Sequence, residues 1–323
     1  MGHLQNGKWT DDDTLREIEG GRYVKKPSVF RNWVTADGTS SFPAAAGRYH
    51  LIWAMGCPWA HRTALYRVLK KLDGVVSITN TSQREGGQGW WFGPDGYAVP
   101  GTDHRAEYLH ELYTLSDPRC TTRVTVPTLW DAETATVVSN ESSEIIRMFD
   151  TAFSAFAPAT PVLCPDELRD EIDAMNARIL DGVNNAVNES GRSVTQEAYE
   201  AAFDKLFATL DGLEELLGRQ RYLCGDRWTE ADWRLFPNLV RFDPIYYQGY
   251  KCNLRRIEDY HNLSNYLREL YQVPGIAETC DIDAIKRNTF GRAGPIGANG
   301  IVPKGPAVDH WRPHDRDRFA KAA

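Results

Sequence analysis

The stretch Arg48-Tyr-His-Leu-Ile-Trp-Ala-Met-Gly-Cys57-Pro-Trp-Ala-His-Arg62 constrains the fold more than any other part of the chain. The apolar-rich run 49–55 reads as a buried strand. Gly56 breaks it, and Pro58 opens a helix reaching about Lys71, with Thr63, Ala64, Leu65, Val68 and Leu69 at helical spacing. Proline suits the first helical position, where its missing N–H costs nothing. Cys57 is thereby set at the cap of a helix N-terminus, where unpaired N–H groups and the helix dipole favour an anion. A thiol so placed loses its proton more easily than at the free value of roughly 8.5, and the thiolate is the reactive form. His61 and Arg62, one turn on, add positive potential. The competing reading is a buried cysteine acting as a small hydrophobe; the strand–Cys–Pro–helix junction favours the reactive thiol.

At 323 residues the chain is long for one core, which makes two domains the natural expectation. A net charge of −7 with no basic run speaks against a nucleic-acid surface. No 18-residue apolar segment is present, so no membrane-spanning helix is expected. The start, Met1-Gly-His-Leu-Gln-Asn-Gly-Lys-Trp, lacks the apolar core of a signal peptide. Cysteines at 57, 120, 164, 224, 252 and 280 have no CxxC or paired spacing, which suits free thiols in a reducing cytoplasm and neither a disulfide framework nor a metal site.

Residues 1–46 are polar with isolated aromatics (Trp9, Tyr23, Phe30, Trp33, Phe42) and read as an extension wrapping the surface, either a partly ordered arm or a functional element. After the Cys57 helix, the short β-rich run 75–79 completes a βαβ unit of a parallel sheet. The Gly-rich segment 83–96 carries Trp90, Trp91 and Phe92 and reads as a long loop whose aromatics form either a stacking wall or an anchor to the core. A short helix is expected over 105–116. The run 124–130 is a β pattern followed by a turn at 131–134, and 136–140 returns as its hairpin partner before a helix that starts at Glu141. Pro127 is out of place inside a strand unless it lies at an edge or bulge, and a cis Val126–Pro127 bond is one explanation. Ser142 and Ser143 at this second helix start offer N–H and hydroxyl donors that can hold a carboxylate. Beyond the Ala/Pro-rich segment 153–165 the pattern is helical, over about 166–188, 195–218, 229–239, 257–272 and 281–287. Thr229-Glu-Ala-Asp232 reads as a capping box with Trp233, Leu235, Phe236 and Leu239 in the core. The Gly/Pro-rich tail from 291 to 306 reads as irregular chain.

The β-α-β-β-β-α order, the helix-start cysteine, the strand-embedded proline and the helical second half resemble the glutathione transferase superfamily. Cys57-Pro-Trp-Ala-His-Arg, Val124-Thr-Val-Pro-Thr-Leu-Trp, Ser139-Asn-Glu-Ser-Ser-Glu, Arg241-Phe-Asp-Pro-Ile-Tyr246 and Tyr271-Gln-Val-Pro-Gly-Ile are similar to the Xi class, the glutathionyl-hydroquinone reductases, from about residue 3 to residue 306. The resemblance implies an N-terminal thioredoxin-like domain (47–152) after the extension (1–46), a linker (153–165), an all-helical substrate domain (166–290) and a tail (291–323). It implies Cys57 as catalytic thiol and Tyr246 facing an aromatic substrate. A cis Val126–Pro127 peptide would pair with the backbone of glutathione. Glu141 and Ser142 would hold its γ-glutamyl end, Trp90 would stack over it, and Arg123 with Val124 would line its pocket. It also implies a homodimer without metal. Two positions depart from the pattern: Asn188 and Thr289 stand where the family carries tyrosines.

The chemistry so implied is a thiol-dependent reductase that strips glutathione, or a similar small thiol, from S-conjugated hydroquinones by a Cys57 mixed disulfide. With no CxxC partner, an external thiol must resolve that disulfide. The alternatives are protein or small-molecule deglutathionylation, reduction of mixed disulfides of a different low-molecular-weight thiol, and a non-catalytic binding module. The intact Cys57-Pro-Trp-Ala motif speaks against the last.

Overall fold

The computed structural model describes residues 2–11, 17–83, 87–291, 296–297 and 299–319. The chain falls into two compact units, one of residues 1–16 and 26–162 and another of residues 17–25 and 163–323. The extension expected at 1–46 is therefore divided between them.

The first unit is built on a four-stranded mixed sheet. Its strands are β1 (Tyr49–Trp53), β2 (Ser77–Asn80), β3 (Thr128–Asp131) and β4 (Thr136–Ser139), in the order β4-β3-β1-β2. β1 and β2 are parallel, joined through helix α1 (Pro58–Leu69), whereas β1–β3 and β3–β4 are antiparallel. Leu51, Ile52, Leu129 and Trp130 are fully buried, so the sheet carries apolar side chains on both faces, as expected for a parallel pair covered by helices. The Trp130 indole N–H donates to Pro100 O at 2.9 Å. Helix α1 packs against α3 (Ser142–Thr151) and α2 (His110–Ser116) against β4. A buried ion pair, Lys70 Nζ to Asp150 Oδ1 at 2.9 Å, ties the end of α1 to α3. This is the thioredoxin-like arrangement the sequence suggests.

Three expected boundaries move. Residues 124–127 precede β3 instead of belonging to it, because proline has no N–H for a ladder position in the sheet interior. The helix expected over 105–116 begins at His110, since Arg105–Ala106 pairs with Tyr97–Ala98. Of the long loop expected at 83–96, Trp90–Trp91 pairs with Ser82–Gln83; residues 84–86 lie outside the described residues.

The extension is ordered over its described parts. His3–Gln5 and Lys8–Thr10 form a hairpin about Asn6 (φ 49°) and Gly7 (φ 75°), the left-handed pair that an Asn-Gly turn supplies. Leu4 exchanges backbone hydrogen bonds with Thr122 at 2.9 and 3.0 Å.

The second unit is helical, with α4 (Arg169–Ile179), α5 (Ala186–Arg192), α6 (Gln196–Leu217), α7 (Glu230–Arg241), α8 (His261–Tyr271) and α9 (Ile282–Phe290). Every residue of α7 is buried, including Trp233, Leu235, Phe236 and Leu239. Its start is fixed by Asp232, which accepts from Thr229 N at 2.6 Å, Leu223 N at 3.0 Å and Tyr266 Oη at 2.7 Å. The single helix expected over 166–188 is interrupted by a π-helical turn, Leu180–Asn185, and α7 runs into another, Phe242–Tyr246. In the tail, fully buried Arg316 donates from Nη1 to Leu217 O and from Nη2 to Gln220 O, both at 2.7 Å, closing the carbonyl end of α6.

Candidate active site

Cys57 takes the extended conformation of an N-cap (φ −92°, ψ 115°), and Pro58 follows as the first helical residue. Its Sγ accepts from Ala60 N at 3.5 Å and donates to Val126 O at 3.6 Å. The loop leading to it is closed by Cys57 N donating to Ala54 O and by Met55 N donating to Asn80 Oδ1, both at 2.9 Å. Five cysteines are buried and Cys57 alone is half-buried. Burial pushes the thiols of Cys120 and Cys280 up to about 11, and those of Cys224 and Cys252 up to about 12. They stay neutral, whereas Cys57 Sγ accepts a backbone N–H at a helix start, a contact that favours a thiolate.

The Val126–Pro127 peptide is cis. It brings the Val126 carbonyl beside the thiol, and Val124, Val126 and Trp90 share one apolar cluster against which Cys57 packs. Trp90 is only 8% exposed, and its carbonyl accepts from Leu109 N at 2.8 Å. Trp90 thus packs with the core of the first unit beside Cys57. Arg123 is half-buried and opens the segment that leads to Pro127.

Glu141 is the N-cap of α3. Its Oε1 accepts from Ser143 N at 3.1 Å and Ser143 Oγ at 2.8 Å. Among the described residues the buried Ser142 Oγ has no hydrogen-bond partner, an unusual state for a hydroxyl and one that a ligand carboxylate at this helix start would relieve. A buried ring of bonds links this helix start to the proline segment. Tyr113 Oη donates to Thr125 O and accepts from Asn140 Nδ2, each at 3.0 Å, and Asn140 Nδ2 also donates to Thr125 Oγ1 at 3.1 Å. Tyr113 and Asn140 escaped the sequence reading, because their partners are distant in the chain.

Cys57, Trp90, Arg123, Val124, Pro127, Glu141 and Ser142 all belong to the first unit. Tyr246 belongs to the second unit, at the end of its π-turn, where it meets Phe242 and Tyr250 edge-on with ring centroids 6.2 and 5.0 Å away. Tyr250 lies against Gly191 so closely that a Cβ there would come within 2.1 Å of the ring. Asn188 Nδ2 donates to Asn184 O at 2.9 Å and Thr289 Oγ1 to Ile285 O at 3.1 Å. Both turn their donors back onto their own helices. Among the described residues no cluster of side chains could hold a metal ion, and no helix is long and apolar enough to cross a membrane.

A thioredoxin-like unit with a cysteine at the first helix cap and a cis-proline beside it, together with a helical unit, defines the class as a glutathione transferase. Residues 56–152 match the glutathione S-transferase N-terminal domain family and residues 196–269 its C-terminal domain family. The chain is 44% identical to the glutathionyl-hydroquinone reductase YqjG of Escherichia coli, over 98% of this chain and 99% of that one. The glutathione-bound structure of that protein superposes with a TM-score of 0.88 at 43% identity, covering 98% of this chain and 100% of the other. Identity to the glutathionyl-hydroquinone reductase PcpF of Sphingobium chlorophenolicum is 45%, over 95% and 97% of the two chains. The Xi-class enzyme of Natrialba magadii gives a TM-score of 0.90 at 40% identity, with 99% and 98% covered. The chain belongs to the Xi class of glutathione transferases, the glutathionyl-hydroquinone reductase family.

Proposed function

We propose that the protein is a glutathione-dependent reductase that removes glutathione from S-conjugated hydroquinones through a mixed disulfide on Cys57. The observation that carries this reading is the position of Cys57 Sγ, held between the Ala60 N–H at a helix start and the Val126 carbonyl beside cis-Pro127. A peptide-like thiol paired with the Val126 backbone presents its sulfur to that thiolate. The names and the bound glutathione of the relatives described above support the choice of substrate.

In this mechanism the Cys57 thiolate attacks the sulfur of the aryl thioether. An S–S bond forms, the aryl C–S bond breaks, and the electron pair left on the aromatic carbon takes a proton, with Tyr246 as general acid. A second glutathione thiolate then attacks the mixed disulfide, forming glutathione disulfide and freeing the Cys57 thiolate. Glutathione is oxidised, the conjugate is reduced to hydroquinone, and the proton delivered to carbon is made good by the incoming thiol. Glu141 and Ser142 hold the γ-glutamyl end, Trp90, Arg123 and Val124 line the thiol pocket, and Tyr246 faces the aromatic ring. The partner is a small aromatic molecule. The same reading places the protein in the cytoplasm as a homodimer without metal; its six free cysteines support a reducing compartment.

Intact mass after incubation with oxidised glutathione tests the chemistry. One glutathionyl adduct in the wild type, absent in Cys57→Ser, is expected, together with loss of turnover in that variant. Full activity of Cys57→Ser refutes the mechanism. A second reading keeps the chemistry and changes the substrate to non-aromatic mixed disulfides, including those of another small thiol. It is favoured by Asn188 and Thr289, whose polar donors are spent on their own helices. An adduct from a different low-molecular-weight disulfide, with none from glutathione, supports it.

A further inference from the structure

The segment 28–32 of the N-terminal extension runs antiparallel along the outer edge of β4. Asn32 N donates to Val138 O at 3.0 Å, Asn140 N donates to Phe30 O at 3.1 Å, and Arg31 bridges Ser139. Phe30 N donates to Asn140 Oδ1 at 3.1 Å, so one asparagine holds the arm with both backbone and side chain. Farther along, Arg31 Nε donates to Glu144 Oε2 at 2.8 Å, and Nη2 reaches Glu144 Oε1, in the first turn of α3. Between these attachments Ser28 Oγ lies 3.0 Å from Glu141 Oε2 and 3.2 Å from Asn140 O.

We propose that the arm is part of the thiol site, with Ser28 as the residue that positions the Glu141 carboxylate. The inference rests on the reading of Glu141 as the group that receives the γ-glutamyl end of glutathione. A serine hydroxyl has one proton to donate, and the shorter contact to a charged acceptor is the stronger one. Oε1 is held by Ser143 and Oε2 by Ser28, which fixes the plane of the carboxylate by bonds from two sides. A carboxylate held in one plane meets an incoming ammonium without losing rotamer freedom on binding. The arm thus bridges the edge of the sheet and at the same place orients a binding group, 113 residues away in sequence.

The test compares Ser28→Ala, Ser28→Thr and Glu141→Gln in the full-length protein. Glutathione KM is measured by turnover, and glutathione Kd by calorimetry in a Cys57→Ser background. Ser28 is half-buried in an arm outside the core, so the alanine variant is expected to melt with the wild type. Ser28→Ala should raise glutathione KM and Kd about tenfold, the low end of one hydrogen bond to a charged group, with kcat at saturating glutathione retained. Ser28→Thr, which keeps the hydroxyl, should retain wild-type affinity. Unchanged affinity in Ser28→Ala beside a loss in Glu141→Gln overturns the arm proposal alone. Equal losses in the alanine and threonine variants overturn the role of the hydroxyl. Unchanged affinity in both Ser28→Ala and Glu141→Gln overturns the assignment of Glu141, and this proposal with it.

Discussion

Removing one hydroxyl, in Tyr113→Phe, tests whether the two halves of the thiol site are held together by the buried ring of hydrogen bonds. Tyr113 is fully buried. Its Oη donates to Thr125 O and accepts from Asn140 Nδ2, each at 3.0 Å, and from Thr125 N at 3.3 Å. Thr125 O keeps a donor after the change, because Thr128 Oγ1 also reaches it at 2.9 Å. Asn140 keeps one of its two N–H bonds, to Thr125 Oγ1. What remains unpaired is the other Asn140 N–H and the Thr125 N–H. At about 1–3 kcal/mol for each buried orphan, with the long Thr125 bond at the low end, the variant should lose about 3 kcal/mol. That corresponds to a fall in Tm on the order of 10 °C for a unit of this size. Thr125 immediately precedes Val126–Pro127 and Asn140 immediately precedes Glu141, so the loosened joint lies between the two groups proposed to grip glutathione. Glutathione KM should therefore rise more than kcat falls. Thermal melts and steady-state kinetics on the same preparation check both. A loss of stability below about 1 kcal/mol refutes the hydrogen-bond arithmetic. A full loss of stability with an unmoved KM refutes the link to the site.

Arg48 and Asp131 form a buried fork, Nε to Oδ1 at 2.7 Å and Nη2 to Oδ2 at 2.6 Å, across the end of the β1–β3 pair. Arg48→Met leaves the carboxylate buried without this partner and should cost about 3–5 kcal/mol; an unchanged denaturation midpoint at pH 7 refutes this. Burial alone would raise the Asp131 pKa, but the Arg48 fork, the Thr134 hydroxyl and the Glu133 N–H outweigh it and hold the group below the usual carboxylate range. In the wild type its stabilising contribution is therefore complete above roughly pH 4, the ordinary carboxylate value, and is lost as pH falls through the lower folded value. The contribution of this group should reverse its slope in Arg48→Met, since a buried and unpaired carboxylate favours the protonated form; denaturation midpoints from pH 3 to 7 give the sign. Thr289→Tyr should restore an aromatic wall and a phenol, lowering KM for S-aryl conjugates about fivefold while leaving the rate of Cys57 glutathionylation unchanged; an unchanged aryl KM separates Thr289 from the acceptor site.

The parts of the site legible in the sequence are those fixed by local backbone chemistry. Gly56, Cys57 and Pro58 announce a strand end, a cap and a first helical turn within three residues, and α1 begins at Pro58. Glu141-Ser-Ser announces the start of α3 in the same way. Pro127 marks itself by being incompatible with the ladder that its neighbours suggest. Legibility fails where pairing is short or distant. Trp90–Trp91 and Arg105–Ala106 are two-residue strands, too short for alternation to register, so the first read as loop and the second as helix. The π-turn at Leu180–Asn185 adds a residue to the helical ladder without interrupting the apolar pattern, so 166–188 read as one helix. Asn6-Gly7 did carry a readable signal, the commonest two-residue hairpin turn, inside an extension judged by its polarity. Ser28, Tyr113 and Asn140 carried none, because nothing local distinguishes a serine in a polar arm from one that meets a carboxylate.

This division bears on how such an enzyme diverges. In the proposed mechanism the sulfur chemistry depends on an N-cap, a helix start and a cis peptide, all geometry that follows once the first unit folds. Their side-chain requirements are few: a thiol at 57, a proline at 127, an acceptor and a hydroxyl at 141 and 142. In the same proposal recognition of the departing aromatic depends instead on individual side chains in the second unit, where a polar residue in place of a tyrosine would cost the fold little as long as it finds a backbone partner. Asn188 and Thr289 meet that condition, each bonding the carbonyl four residues back in its own helix. Such a chain can exchange its acceptor while its thiol chemistry stays in place. The identity of the leaving group should therefore be sought by varying the aryl portion of the substrate at constant thiol, and that of the thiol by adduct mass on Cys57, because the two are carried by different features of the sequence.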